Sequence, residues 1–192
     1  MLQTIKYQLR HLADFNGRDA RQTFWYYVLF LVVLQFGIGI VLAAPMYLDI
    51  FFATLDGVAE EQNANALEAR MMADMADSIG SVTMATAVLG FVLTALFIAA
   101  FVRRLHDAGF PGWLVLVPLV TQVAGTVGSL MFLDPLTEAM RRSVEDPEAL
   151  VAAQSEAFAF TAIAYAGYLF VIVFGAWKSD GPNRWGDAPV RF

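Results

Sequence analysis

The sequence predicts an all-α integral membrane protein: a four-helix bundle with an N-terminal amphipathic surface helix and helical extensions on the outer side. Three observations predict it. The 192-residue chain is 58% hydrophobic, above the ~45–50% apolar content of a soluble domain. Four runs lack any charged residue: Gln22 to Leu48, Ser78 to Val102, Ala108 to Leu133 and Ala157 to Trp177. Each meets the length of about 20 residues that a helix needs to cross a ~30 Å hydrocarbon core. Finally, charge is segregated. Residues 1–23, 103–112 and 178–192 hold nine Lys/Arg against five acids, whereas residues 49–80 and 134–156 hold three against thirteen.

The chain in order gives one membrane domain over residues 1–192, with spans at approximately 24–48, 80–102, 113–133 and 157–177 and outer loops at 49–79 and 134–156. Leu2, Ile5, Leu9 and Leu12 recur at helical spacing with Lys6, Arg10 and His11 off that stripe, the pattern of a short helix lying on a membrane surface. The polar N-terminal segment and the long apolar run after it do not fit a cleavable signal. Asp14-Phe15-Asn16-Gly17 breaks the first helix, and Asp19 or Asn16 is available to cap the next. Phe24-Trp25-Tyr26-Tyr27 reads as an interfacial aromatic belt. Pro45 and Pro118 are read near span ends or in first turns, where a missing N–H costs little. Leu67, Met71, Met75 and Ile79 keep one helical face, so the second span's helix is expected to extend outward from near Ala64. Asp134-Pro135 and Asp146-Pro147 each read as an N-cap followed by Pro at the first helical position, starting helices at 135 and 147.

The positive-inside rule places both termini and the Arg103–Gly112 hinge in the cytoplasm. The predicted location is a bacterial cytoplasmic (inner) membrane, with a multi-pass topology. Zero cysteines exclude disulfides, thiolate metal sites and cysteine nucleophiles. Two histidines, His11 and His106, are too few for a histidine metal cluster. No metal and no cofactor are expected.

Three motifs converge on the predicted cytoplasmic side: Phe15-Asn16-Gly17-Arg18 with Arg21, Phe24 and Trp25; Arg103-Arg104-Leu105-His106-Asp107 with Gly109, Gly112 and Trp113; and Gly181-Pro182-Asn183-Arg184-Trp185-Gly186 with Pro189. Together, in this order, they resemble the family called domain of unknown function 805, small bacterial inner-membrane proteins with no established activity. The resemblance covers the spans and their cytoplasmic ends but not the acidic segments 49–80 and 134–156. Ala20 stands where the family's capping Ser is usual, Pro111 where a Ser commonly precedes Gly-Trp, and Leu114 where a second Trp is frequent. The resemblance implies location and topology and supplies no reaction.

The candidate ligand-binding residues are Arg18, Arg21, Arg103, Arg104, His106, Asp107, Asn183 and Arg184, with the Gly181 and Gly186 backbone as further donors. An Arg fork suits phosphate oxygens, so an anionic lipid headgroup or a phosphorylated ligand fits them. The plainer reading, which the residues favour, makes these arginines topology anchors, some paired with Asp19, Asp107, Asp180 or Asp187. His106-Asp107 reads as capping or hinge-fixing rather than catalytic, because neighbours on a helix diverge by about 100° and no nucleophile motif accompanies them. Trp185 reads as a membrane anchor in a turn.

The spans contain no Asp, Glu, Lys, Arg or His, which weighs against ion-coupled transport. Gln35, Gln122 and the span threonines are read as interhelical hydrogen-bonding groups. Ala95 with Ala99, Gly125 with Ser129, and Ala162 with Ala166 are small-residue pairs that permit close helix packing. The functional expectation is a non-enzymatic module that binds lipid or a protein partner through its basic cytoplasmic face; the alternative is a small transporter or channel subunit. Expected partners are membrane lipids with anionic headgroups, a protein partner or a further copy of the chain, and no nucleic acid.

Overall fold

A computed structural model describes residues 1–59, 63–186 and 189–192. The order is α1 (Leu2–Arg10), α2 (Arg21–Ala59), α3 (Ala64–Asp107), a 3-10 turn at Gly112–Val115, α4 (Leu116–Met131), α5 (Leu133–Arg141) and α6 (Pro147–Ala176). Among the described residues there is no strand, and two isolated bridges join Asp19 to Val190 and Asn183 to Gly186. Four helical segments, Arg21–Ala59, Ala64–Asp107, Gly112–Met131 and Pro147–Ala176, are long and apolar enough to cross a membrane. The fold is all-α, as the apolar runs require.

Helix starts follow their capping chemistry where a side chain is free to cap. Asn63 Oδ1 accepts the Ala66 N–H at 2.8 Å and opens α3 at the expected place. Asp146 Oδ1 accepts the Ala149 N–H at 3.1 Å, with Pro147 as the first helical residue of α6. Two other expected caps are corrected. Asp19 does not cap α2: Gln8 and Arg103 both bond its Oδ2, and its Oδ1 is enclosed without accepting any helix N–H. The helix expected at 135 starts at Leu133, with Phe132 at the cap position and Asp134 inside the first turn.

Helix α2 also runs further than its uncharged stretch. It passes through Pro45 and ends at Ala59, so Pro45 is internal rather than near a helix end. At ~1.5 Å per residue, the 39 residues of α2 and the 44 of α3 reach about 58 and 66 Å. Most of the predicted loop 49–79 is therefore helix, extending α2 and α3 beyond the hydrocarbon thickness. Residues 60–62 lie outside the described residues.

The chain forms two compact units, Met1–Phe36 with Leu89–Val123 and Ile163–Phe192, and Gly37–Val88 with Ala124–Ala162. The first has an aromatic core. Phe24, Phe101, Leu105 and Val171 are buried, and Trp25, Phe97, Phe110, Phe170 and Phe174 pack around them. Tyr27, Leu31, Leu93 and Ala100 make a second cluster. Tyr27 donates to the Leu96 carbonyl at 3.2 Å. Phe24 and Tyr27 thus belong to the core rather than to an exposed aromatic belt. Helix α6 reaches α4 and α2 through glycines: a Cβ at Gly167 would strike Thr121, and one at Gly175 would stand 2.7 Å from Phe24 Cε1.

In the second unit, Gly128 lies directly against the Phe160 ring, and Phe132 stacks near Phe160 with centroids 5.0 Å apart. Ala53, Ala76, Ala139 and Met140 are buried there, and Arg141 pairs with Asp77 at the surface. Ala162 and Ala166 are both exposed and make no close packing contact within the chain's core. The close contacts that a Cβ would violate fall at Gly112, Gly128, Gly167 and Gly175.

Candidate functional site

The polar end of the first unit is built on the last turn of α3. Gly109 closes that helix at φ +83°, with the Phe110 N–H returning to the Leu105 carbonyl at 2.9 Å. This is the left-handed stop that glycine adopts without a Cβ penalty. It leaves Arg103, Arg104, His106 and Asp107 on successive sides of one turn. Each meets a different segment of the chain.

Arg103 points to the N-terminal segment and is 1% exposed. Its Nε donates to Asp19 Oδ2 at 3.0 Å, and its terminal nitrogens donate to the His11 carbonyl at 2.9 Å, the Asp14 carbonyl and Gln8 Oε1. Gln8 Nε2 completes the triad by donating to Asp19 Oδ2 at 2.8 Å. Tyr7 lays its ring beside the guanidinium, 5.6 Å from centroid to Cζ. Helix α1 is therefore held by its polar face, with Thr4 and Gln8 buried and Leu2 and Leu9 exposed. Burial pushes the Asp19 carboxyl above its ordinary range, and Arg103 partly offsets the rise. The Tyr7 phenol, desolvated and beside Asp19, is pushed up to about 12.

Asp107 is the second hub and is fully enclosed. Its Oδ1 accepts Arg18 Nε at 3.3 Å and a terminal Arg18 nitrogen at 3.0 Å; its Oδ2 accepts Arg104 and the Ser179 hydroxyl, the latter at 2.5 Å. Arg18 spends its remaining donors on three backbone carbonyls of the C-terminal segment: Asp180 at 2.7 Å, Gly186 at 2.8 Å and Gly181 at 2.9 Å. Arg104 donates to the Gly175 carbonyl at 2.9 Å and to that of Trp177, the end of α6, where carbonyls lack helical partners.

His106 faces outward from these pairs. Its ring stacks on Trp185 at 4.4 Å and 9°, its Nδ1 is enclosed without a hydrogen-bond partner among the described residues, and its carbonyl accepts Asn183 Nδ2 at 3.0 Å. Asn183 Oδ1 accepts the Trp185 N–H at 3.0 Å, closing the turn. Arg184 lies over the other side of the indole, 4.0 Å from its centroid. Trp185 is consequently half-buried between a histidine and an arginine instead of standing free as a membrane anchor.

The structure brings Arg18, Arg103, Arg104, His106, Asp107 and Asn183 together and commits the arginines, Asp107 and Asn183 to one another and to the backbone, while His106 Nδ1 is enclosed without a hydrogen-bond partner among the described residues. Gly181 and Gly186 supply acceptor carbonyls rather than donors for a ligand. Arg21 and Arg184 are exposed. Asp180 contributes its carbonyl to Arg18, and Asp187 lies outside the described residues. Sequence reasoning missed Gln8, Ser179 and the Val190 carbonyl, which accepts the Thr23 hydroxyl at 2.8 Å. Only Gln8 had a signal, as the polar i+4 neighbour of Thr4 on α1. No group of three or more potential metal ligands occurs among the described residues.

Four membrane-length helices among the described residues, with a network of buried arginines and aspartates in the first unit, define an all-helical, multi-span membrane protein. The chain belongs to the family described as "Protein of unknown function (DUF805)", whose model matches residues 12–187. That match takes in the three motifs except Pro189, and it runs through the acidic segments 49–80 and 134–156 that the motif resemblance does not cover. No curated protein and no solved structure matches the chain.

Proposed function

We propose that the chain is a non-enzymatic module of a bacterial cytoplasmic membrane, with both termini and the arginine-rich end in the cytoplasm, and that this end binds anionic lipid headgroups. The charge segregation across connecting segments supports the orientation. The observation that carries the ligand class is Arg184. It is exposed, with its guanidinium over the Trp185 ring, and donates to no described residue, and a planar arginine fork in that position suits a phosphate oxygen. Arg21 and Lys178 are also exposed in this unit. The buried arginines hold the scaffold beneath this rim. Commitment of Asp107 to two arginines and stacking of the His106 ring on Trp185 support a non-catalytic role for that pair.

The test is native mass spectrometry of the protein extracted with its own lipids, beside the double variant Arg21→Gln/Arg184→Gln. The wild type is expected to retain a defined anionic lipid that the variant loses while remaining folded. Equal lipid retention by both would make these arginines topology anchors only.

A further inference from the structure

Two amides lie within the spans of the first unit, and the fold treats them differently. Gln122 Oε1 accepts the Tyr168 hydroxyl at 3.1 Å. Gln35 receives and makes no hydrogen bond among the described residues, and its amide is not among the enclosed unpartnered groups, so it opens onto the molecular surface. Gln35 stands fourteen positions after Arg21 in α2, about 21 Å along the axis. With Arg21 at the headgroups and a ~30 Å hydrocarbon core, that is near mid-depth. No water is available there, and an amide facing lipid carries its full desolvation cost.

We propose that Gln35 is the contact point of a homodimer in which α2 packs against α2 of a second copy. The occupant follows from the chemistry of the group. A carboxamide is both donor and acceptor, so it complements itself. Two copies in the same orientation related by a two-fold axis along the membrane normal place both amides at one depth, each donating to the other. Val32, three residues back on the same face, is exposed, as are Leu29, Val33 and Phe36, which leaves an apolar surface around the amide for the partner helix. Interhelical side-chain hydrogen bonds of this kind stabilise association modestly, so a reversible dimer is expected.

The absence of cysteine permits a direct test. Val32→Cys and, on the lipid-exposed side of α6, Val173→Cys are purified, reconstituted into liposomes of phosphatidylethanolamine and phosphatidylglycerol, and oxidised with copper-phenanthroline over a range of dilutions in lipid. Val32→Cys is expected to give covalent dimer at dilutions where Val173→Cys gives little. Adding Gln35→Leu should require roughly tenfold higher density for the same yield, and Gln35→Asn should largely restore it. Equal cross-linking at the two cysteines overturns the interface without any change at position 35. Unchanged yield in Gln35→Leu overturns the role of the amide.

Discussion

Arg18 and Asp107 lie 89 residues apart in sequence and meet through two N–H groups on one carboxylate oxygen, with both side chains out of solvent. The pair joins the segment before α2 to the last turn of α3. Because Arg18 also grips the carbonyls of Asp180, Gly181 and Gly186, one guanidinium ties three separate parts of the chain together. A single planar fork with five donors can do this; an ammonium cannot.

Asp107→Asn is expected to be strongly destabilising. It would leave Arg18 and Arg104 buried without their shared counter-charge, and breaking a buried pair by removing one partner costs about 3–5 kcal/mol. The thermal unfolding midpoint in detergent should fall well below that of the wild type. Ser179→Ala, which removes only the hydroxyl bonded to Asp107 Oδ2, should cost about 1 kcal/mol. If the two variants melted together, the charge network would not be the fastening that its geometry implies.

Much of this fold was legible because two signals act locally. A span must be uncharged and a cap must sit beside the helix it starts, so the four crossings and the starts at Ala64 and Pro147 could be read directly. The charges at Asp49 and Asp56, however, end the uncharged run and not the helix, and α2 continues through both. The site was half legible. The motifs placed Arg18, Arg103, Arg104 and Asn183 on one side of the membrane but not in contact, because the acceptors of the arginines are largely backbone carbonyls, which have no residue signature. The same limit hid the His106–Trp185 stack, since nothing in either motif specifies which ring meets which.

Asp19 gives a pH prediction with a definite sign. Its folded-state pKa is raised above 3.8, the ordinary aspartate value, chiefly by burial. A raised value means that the protonated form fits the folded state better, so this group's contribution is full below about pH 3.8 and declines as pH rises through the folded value. Asp19→Asn lacks the titration. The stability difference, wild type minus variant, should therefore fall as pH rises from about 4 toward neutrality. It can be measured as the difference between their thermal midpoints at successive pH values. A difference that grows with pH would show that attraction to Arg103 outweighs burial.

Glycine substitutions should separate positions by what surrounds them rather than by helix propensity. Gly175 sits where an added Cβ would be 2.7 Å from Phe24 Cε1 and 3.1 Å from Trp25 Cζ2. Phe24 is itself fully buried and in ring contact with Phe97 and Phe101, so it has little room to yield. Gly175→Val is expected to cost about 1–3 kcal/mol through overpacking. Gly37, also in a span, meets nothing within 4 Å. Gly37→Ala should be neutral or stabilising by up to ~1 kcal/mol, because Ala loses less freedom in a helix interior. Thermal midpoints of the two variants in the same detergent provide the comparison. If Gly175→Val matched the wild type, the close approach of α6 to α2 at this level would be wrong, and with it the position of the Gly175 carbonyl that accepts Arg104.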